Sequence, residues 1–286
     1  MRRRSFCLPL PEGDLLSIYR DKVNDHFEEM SIDMGKVISF RCNICGYSQA
    51  ALPSVLLERE SPSCEMCGST TRLRSIIRCL SLGLFGEALA LPDFPKRKGL
   101  YGIGMSEWPG YLLLLEDRFD FLNTFYHQKP YLSISDPPAE MLGTADFLIS
   151  SEVFEHVLPP VQRAFDGALA LLKPRGFFIL TVPFQLDGET DEHFPDLNDF
   201  KVYDDNGRYV LKNKTKDGRL QMFTDLCFHG GPGSTLELRL FSLPDLLRHL
   251  QMAGFCNLQV HANNDLGFGI LYPGAWSVPI TAKRPG

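Results

Sequence analysis

Four of the eight cysteines stand in two pairs, Cys42 with Cys45 in "CNIC" and Cys64 with Cys67 in "CEMC", with eighteen residues between the pairs. Two thiolates on one tight turn can aim at a single ion, and two such turns complete a tetrahedron around it. Four soft ligands with no open position are the donor set of a structural zinc ion. Gly46 and Gly68 each follow the second cysteine of a pair, where the turn needs a permissive backbone. The other readings of the set are four buried free thiols or a redox pair. In a cytosolic chain, paired cysteines point to metal before disulfide. Cys7, Cys79, Cys227 and Cys256 are solitary.

Two further stretches carry chemistry. "YGIGMSEWPG" (101–110) puts Gly102 and Gly104 after an apolar run, as a cofactor-binding loop begins, without a third glycine. "ISSEVFEHV" (149–157) follows the apolar run "ADFLI" and gathers Ser151, Glu152, Glu155 and His156. Residues at the carboxyl end of a central strand point into the ligand crevice of an open α/β sheet. Downstream, His193 in "DEHFPD" and His229 in "FHGGPGS" are candidates for a catalytic base, because imidazole titrates near neutrality. A solvated loop histidine is the plain alternative for each. Arg72, Arg74 and Arg78 in "RLRSIIR" read either as a solvated helix face or as an anion-binding patch.

These groups need elements to hold them. The 286 residues, 44% apolar and 22% charged, suffice for one large globular domain with a small appendage. A helix is expected within residues 14–30, giving an N-terminal helical segment over 1–35. The zinc ribbon and the helix after it occupy 36–90, the latter with Leu73, Ile76, Ile77 and Leu80 at helical spacing. The proline- and charge-rich 90–99 reads as a linker, and the main domain runs over 91–286. Within it, strands are expected at 99–103, 119–125, 130–134, 145–151 and 177–183. A helix over 159–176 stops at Pro174 and Gly176, and another fills 242–255 with Ser242 as its cap. Two strands close the chain. Strands alternating with helices predict an α/β, doubly wound sheet with helices on both faces. The polar segment 184–235 is expected to be an insertion acting as a lid.

The run from "ADFLISSEVFEHV" through "LLKPRGFFILTVPF" resembles the later half of a class I S-adenosylmethionine (SAM)-dependent methyltransferase. In that family a strand leads into an acidic–aliphatic–Glu–His element, then a helix and a Lys-Pro-Gly turn. The cysteine pairs, "RLRSIIRCL" and this core together resemble a bacterial subgroup with an N-terminal zinc ribbon. The resemblance implies a Rossmann-like class I methyltransferase sheet and a SAM site at Gly102, Gly104, Asn123 (or Thr124 or Tyr126), Asp136 (or Ser133 in another register), Ser151, Glu152 and His156. Tyr101 stands where the family has an acid, and Ser106 where it has the third glycine. The function implied is methyl transfer to a small or medium acceptor such as a sugar, glycan precursor or natural product. The alternatives are an RNA methyltransferase gripping its substrate through the ribbon, and a non-catalytic SAM-binding or scaffold protein. The net charge of −6 and the lack of a base-stacking aromatic motif argue against a nucleic-acid partner. No run approaches the roughly eighteen apolar residues of a membrane helix. The basic start "MRRRSFCLPLPEG" is broken by prolines, so a cytoplasmic protein is expected.

Overall fold

The computed structural model describes residues 32–286 apart from 230, 232, 234, 275 and 276. The helix expected within 14–30 and Cys7 lie outside the described residues. In chain order, β1 (Ile38–Arg41) and β2 (Ser48–Ala51) form a hairpin, followed by α1 (Pro53–Leu57) and α2 (Thr71–Phe85). Next come β3 (Tyr101–Met105), α3 (Pro109–Arg118), β4 (Asp120–Thr124), β5 (Ala145–Ser151), α4 (Gln162–Leu171) and β6 (Leu172–Thr181). A run of shorter strands follows: β7 (Phe184–Gln185), β8 (Asp191–Glu192), β9 (Asp199–Asp205), β10 (Arg208–Lys214), β11 (Leu220–Phe223), β12 (Phe228–His229), β13 (Thr235–Leu236) and β14 (Arg239–Ser242). The chain closes with α5 (Leu243–Ala253), β15 (Cys256–Val260) and β16 (Ile280–Lys283).

Six strands build the central sheet in the order β15-β16-β6-β5-β3-β4. β3 runs parallel to β4 and β5, and β5 parallel to β6, while β16 is antiparallel to both β6 and β15. That order, with one reversed strand between β6 and β15, is a Rossmann-like doubly wound sheet. From β3 the chain turns to β4 on one side and comes back to β5 on the other. The switch point of the sheet therefore lies between the carboxyl ends of β3 and β5.

One expected strand does not join the sheet. Residues 130–134 contribute only a bridge, Phe125 with Tyr131, closed by Leu132 N–H to the Phe125 carbonyl at 2.9 Å. Pro130 has no N–H to continue a ladder, and the chain turns again at Ser133–Asp136 before two more prolines. β4 is thus the edge. The helix expected over 159–176 also ends earlier, at Leu171, and "LKPRG" already belongs to β6. The ring of Pro174 disfavours helical geometry at the residue before it, which moves the boundary upstream.

The two sheet faces bury separate cores. On one, Ile103, Leu148, Phe178 and Leu180 meet Phe165 and Leu171 of α4 and Leu246 and Leu250 of α5. On the other, Phe147, Ile149, Phe177 and Ile179 meet Tyr111 and Leu115 of α3 and Leu73, Ile76, Ile77 and Leu80 of α2. That second core continues into the ribbon through Phe40, Ile44 and Leu56. The boundary expected at 90/91 therefore falls inside shared packing. Thr70 caps α2 by accepting from Leu73 N–H, and Ser242 caps α5 from Asp245 N–H.

The segment 184–235 is not a structureless loop. β9, β10 and β11 make an antiparallel meander over a small core of Phe194, Leu211 and Leu238. Among the described residues no helix is long and apolar enough to cross a membrane.

Candidate functional site

The four paired cysteines converge. Their sulfur atoms lie within 4.8 Å of one another, with Cys42 Sγ 3.7 Å from Cys67 Sγ and Cys45 Sγ 3.7 Å from Cys64 Sγ. A zinc ion held at about 2.3 Å from each thiolate requires tetrahedral edges of about 3.8 Å, so the donor set fits that ion. Each pair is folded by a turn in which a glycine N–H returns to the first cysteine's carbonyl, Gly46 to Cys42 and Gly68 to Cys64, both at 2.8 Å. Gly46 (φ 81°) and Gly68 (φ 71°) occupy the left-handed region that the turn demands. Beneath the cluster lies Arg74, fully buried. Its guanidinium donates to Ser69 O at 2.9 Å, Ser63 Oγ at 2.8 Å and Gly269 O at 2.8 Å, which ties the ribbon to the main sheet's far segment.

The basic stretch on α2 is not an open patch. Arg74 is internal, Arg78 pairs with Asp265 at 2.7 Å, and Arg72 pairs with Glu60 at 2.8 Å and donates to Ser151 Oγ. Arg59, also buried, reaches Glu152 at 3.0 Å. The ribbon thus delivers two guanidiniums to the carboxyl end of β5. Glu152 is held in the left-handed region (φ 56°), as is Ser106 (φ 56°) after β3. Burial alone would raise the Glu152 carboxyl, but Arg59 and Arg72 outweigh it and hold it below the usual carboxylate range.

At the switch point sits Glu107, almost fully buried. Oε2 accepts from the Tyr111 hydroxyl, while Oε1 is buried without a hydrogen-bond partner. Burial pushes this carboxyl up to about 7, against the pull of Tyr111 and Arg72. Asn123 is committed to the same turn: Oδ1 accepts from Glu107 N–H at 3.0 Å and Nδ2 donates to Glu107 O at 3.3 Å. Asp136 lies exposed on the loop after the Phe125–Tyr131 bridge.

Gly102 and Gly104 face the α2–α3 core. A β-carbon on Gly102 would lie within 2.7 Å of three atoms of the Phe147 ring, and one on Gly104 would lie 2.7 Å from Glu107 Cγ and Phe121 Cζ. Phe147 cannot yield easily, being stacked on Phe121 and Phe177 with centroids 6.0 and 6.1 Å away. Gly102→Ala is accordingly expected to cost about 1–3 kcal/mol of stability through overpacking. Phe147→Leu in the same chain should recover part of it, as urea unfolding would show. Equal stability of Gly102→Ala and the parent protein would contradict this packing.

The second cluster lies just past β5. A single turn, Phe154–His156, carries Glu155 and His156. Over it folds β12 with His229, beside Glu237, and Leu238 N–H closes the contact on Glu155 O at 2.9 Å. Glu155 Oε1 is 3.5 Å from His156 Nε2 and 3.6 Å from His229 Nδ1. Burial pushes the Glu155 carboxyl up against the pull of His229, and Glu155 in turn raises His229 to about 8. Glu237 joins the two histidines singled out in the sequence: Oε1 is 2.8 Å from His193 Nε2 and Oε2 is 2.7 Å from His229 Nε2. His193, Glu237, Cys227, Asp191 and Asp225 line an open cleft of about 610 Å³. Glu155 was quoted in the sequence motif without a role, and Glu237 carried no signal there. Only tertiary contact reveals either.

No family model matches the chain, and no curated protein matches it. Among solved structures the chain is similar to the 1,6-didemethyltoxoflavin-N1-methyltransferase of Burkholderia thailandensis. The two are 13% identical over 98% of this chain and 92% of that one, with a TM-score of 0.43. It is also similar to a S-adenosylmethionine-dependent methyltransferase of Clostridium acetobutylicum, at 11% identity, 76% and 92% coverage and a TM-score of 0.43. A third is CalS10, an amino pentose methyltransferase of Micromonospora echinaspora, at 12% identity, 76% and 92% coverage and a TM-score of 0.40.

Proposed function

We propose that the protein is a SAM-dependent methyltransferase for a small or medium acceptor, with a structural zinc ion in its cysteine cluster. The observation that carries this reading is Glu107, a buried carboxylate with one unpartnered oxygen at the switch point of a class I sheet. An ammonium group is the ligand it fits, and the methionine end of SAM carries one. SAM, when bound, supplies a methyl group already activated on a sulfonium.

The chain's own residues then bind and orient. Glu107 takes up the ammonium charge in a site where water would otherwise compete. Ser151 and Glu152, fixed by Arg72 and Arg59, shape the wall at the end of β5. Asp136, exposed on its loop, is the residue proposed to meet the cofactor from the rim. Gly102 and Gly104 act through packing that keeps β3 close to β5. Methyl transfer demands alignment more than covalent help. His193, oriented by Glu237 in the cleft, is the group proposed to take a proton from the acceptor.

Two observations favour a small acceptor over RNA. The arginines of α2 are buried or paired, and the cleft is lined by Asp191, Asp225 and Glu237. An acidic lining suits an amine or a polyhydroxyl compound better than a phosphate backbone. Calorimetry tests the reading. SAM is expected to bind with a Kd below about millimolar, and Glu107→Gln to weaken it by roughly tenfold or more, as for one lost charged hydrogen bond. If millimolar SAM gave neither heat nor thermal shift, the reading would fail and a non-catalytic scaffold would replace it.

A further inference from the structure

We infer that Glu155, His156 and His229 form a second metal site, for a borderline divalent ion such as zinc. The inference rests on three ligand atoms that converge on one buried point. His156 Nδ1 lies 2.8 Å from the Leu236 carbonyl, which can only accept. Nδ1 therefore carries the hydrogen, and Nε2 turns its lone pair towards Glu155. His229 Nε2 lies 2.7 Å from a Glu237 carboxylate oxygen and donates there, so Nδ1, 3.6 Å from Glu155 Oε1, is the ring atom turned to the same spot. Glu155 completes the set with a carboxylate that is fully buried and has no hydrogen-bond partner on either oxygen. Three groups that can ligate a metal thus converge in the interior. A divalent cation can take that point and displace any proton the groups share.

The distances agree. A tetrahedral ion held at about 2.0–2.1 Å separates its ligand atoms by about 3.3–3.4 Å. The observed separations from Glu155 Oε1 are 3.5 Å and 3.6 Å, and the ligand atoms of the triad all fall within 4.8 Å of one another. The two imidazole rings stand nearly perpendicular, at 88° with centroids 4.7 Å apart, so both edges reach one point without stacking. Behind the ligands stand the partners a metal site ordinarily has. The Leu236 carbonyl fixes His156, and Glu237 fixes His229 while also holding His193. Two imidazoles and one carboxylate favour a first-row transition ion over magnesium or calcium. Three protein ligands leave a fourth position for water or another oxygen or nitrogen ligand. If that ligand is the methyl acceptor, the ion would position it. That use rests on the methyltransferase reading, whereas metal binding does not.

The test is stoichiometry with Zn²⁺ as the probe. Full-length protein equilibrated with Zn²⁺ and freed of loosely held metal is expected to retain about two equivalents. His156→Ala, His229→Ala and Glu155→Gln should each reduce this to about one, the equivalent that Cys64→Ser removes instead. Glu237→Gln should keep the second ion but weaken it about 10–100-fold. Circular dichroism of the variants, with zinc retained in the cysteine cluster, checks that they fold. Should the histidine variants fail that check, Co²⁺ uptake by the parent protein decides, through ligand-field bands without thiolate charge transfer that are absent from Glu155→Gln. One equivalent in the parent protein would overturn the site. So would a second equivalent that survives all three substitutions, or one that follows Cys227→Ser.

Discussion

Stripping the ion from the cysteine cluster is expected to unfold the ribbon and to loosen the main sheet with it. Apparent binding energies of structural zinc are about 10–16 kcal/mol, and in small zinc domains that energy is folding energy. Here the loss should reach further, because Arg74 is buried against the cluster. Four thiolates around one zinc retain excess negative charge, which the guanidinium meets. Once the ion is gone and the thiols take up protons, that partner disappears and a buried cation remains, a change that ordinarily costs several kcal/mol. Arg74 also spans to Gly269 O, so its displacement pulls on the segment between β15 and β16. Cys64→Ser or a strong chelator should release about one equivalent of zinc attributable to this cluster. The melting temperature should fall by more than about 10 °C, read by calorimetry alongside metal analysis. Unchanged melting in chelator, with all eight thiols titratable, would sink the zinc assignment.

Arg239→Ala should be the most damaging single change away from the cysteines. The side chain is fully buried on β14. Its Nε pairs with Glu192 at 2.7 Å, and its Nη1 donates to the carbonyls of Val157 at 2.6 Å and Phe154 at 3.1 Å. Those carbonyls bracket the turn that carries Glu155 and His156. Truncation removes a buried cation from its partly exposed partner and takes from the Val157 carbonyl the guanidinium donor, for an expected cost of roughly 3–5 kcal/mol, or about 10 °C in melting temperature. Glu192→Gln should cost much less, since Glu192 is about half exposed and its replacement can still accept. Two variants of equal stability would show that Arg239 does not anchor the turn.

The sequence made the local features readable and hid the distant ones. Cysteine turns, the Ser242 cap and the apolar runs of β5 and β6 are short-range patterns, and each formed where it was expected. The edge at 130–134 was misjudged because "PYLSI" has a strand's composition, while its proline withholds the donor a ladder needs. The meander β9–β11 escaped notice because inward Asn213 and outward Leu220 and Met222 blur the two-residue period. Arg74 read as part of a solvated helix face or an anion-binding patch, and nothing in the sequence marked Arg239 as buried. Gly102 read as a cofactor approach, yet its neighbour is the Phe147 ring. The Glu155–His156–His229 cluster had no local signature, since two separate turns must meet before its ligands exist.

The placement of β16 has a consequence for the order in which the molecule can assemble. This strand, at residues 280–283, lies between β6 and β15 rather than at an edge. Until it is in place, β6 exposes an unpaired flank and β15 has no neighbour, so α5 and the segment around Gly269 pack onto an unfinished surface. Pairing β6 with β16 means closing a loop of about a hundred residues, and such non-local pairing is slow. During synthesis the half-sheet β4-β3-β5-β6 would wait with an open, apolar border until residue 283 clears the ribosome. That interval, more than any weakness of the finished fold, is when the chain is most exposed to aggregation.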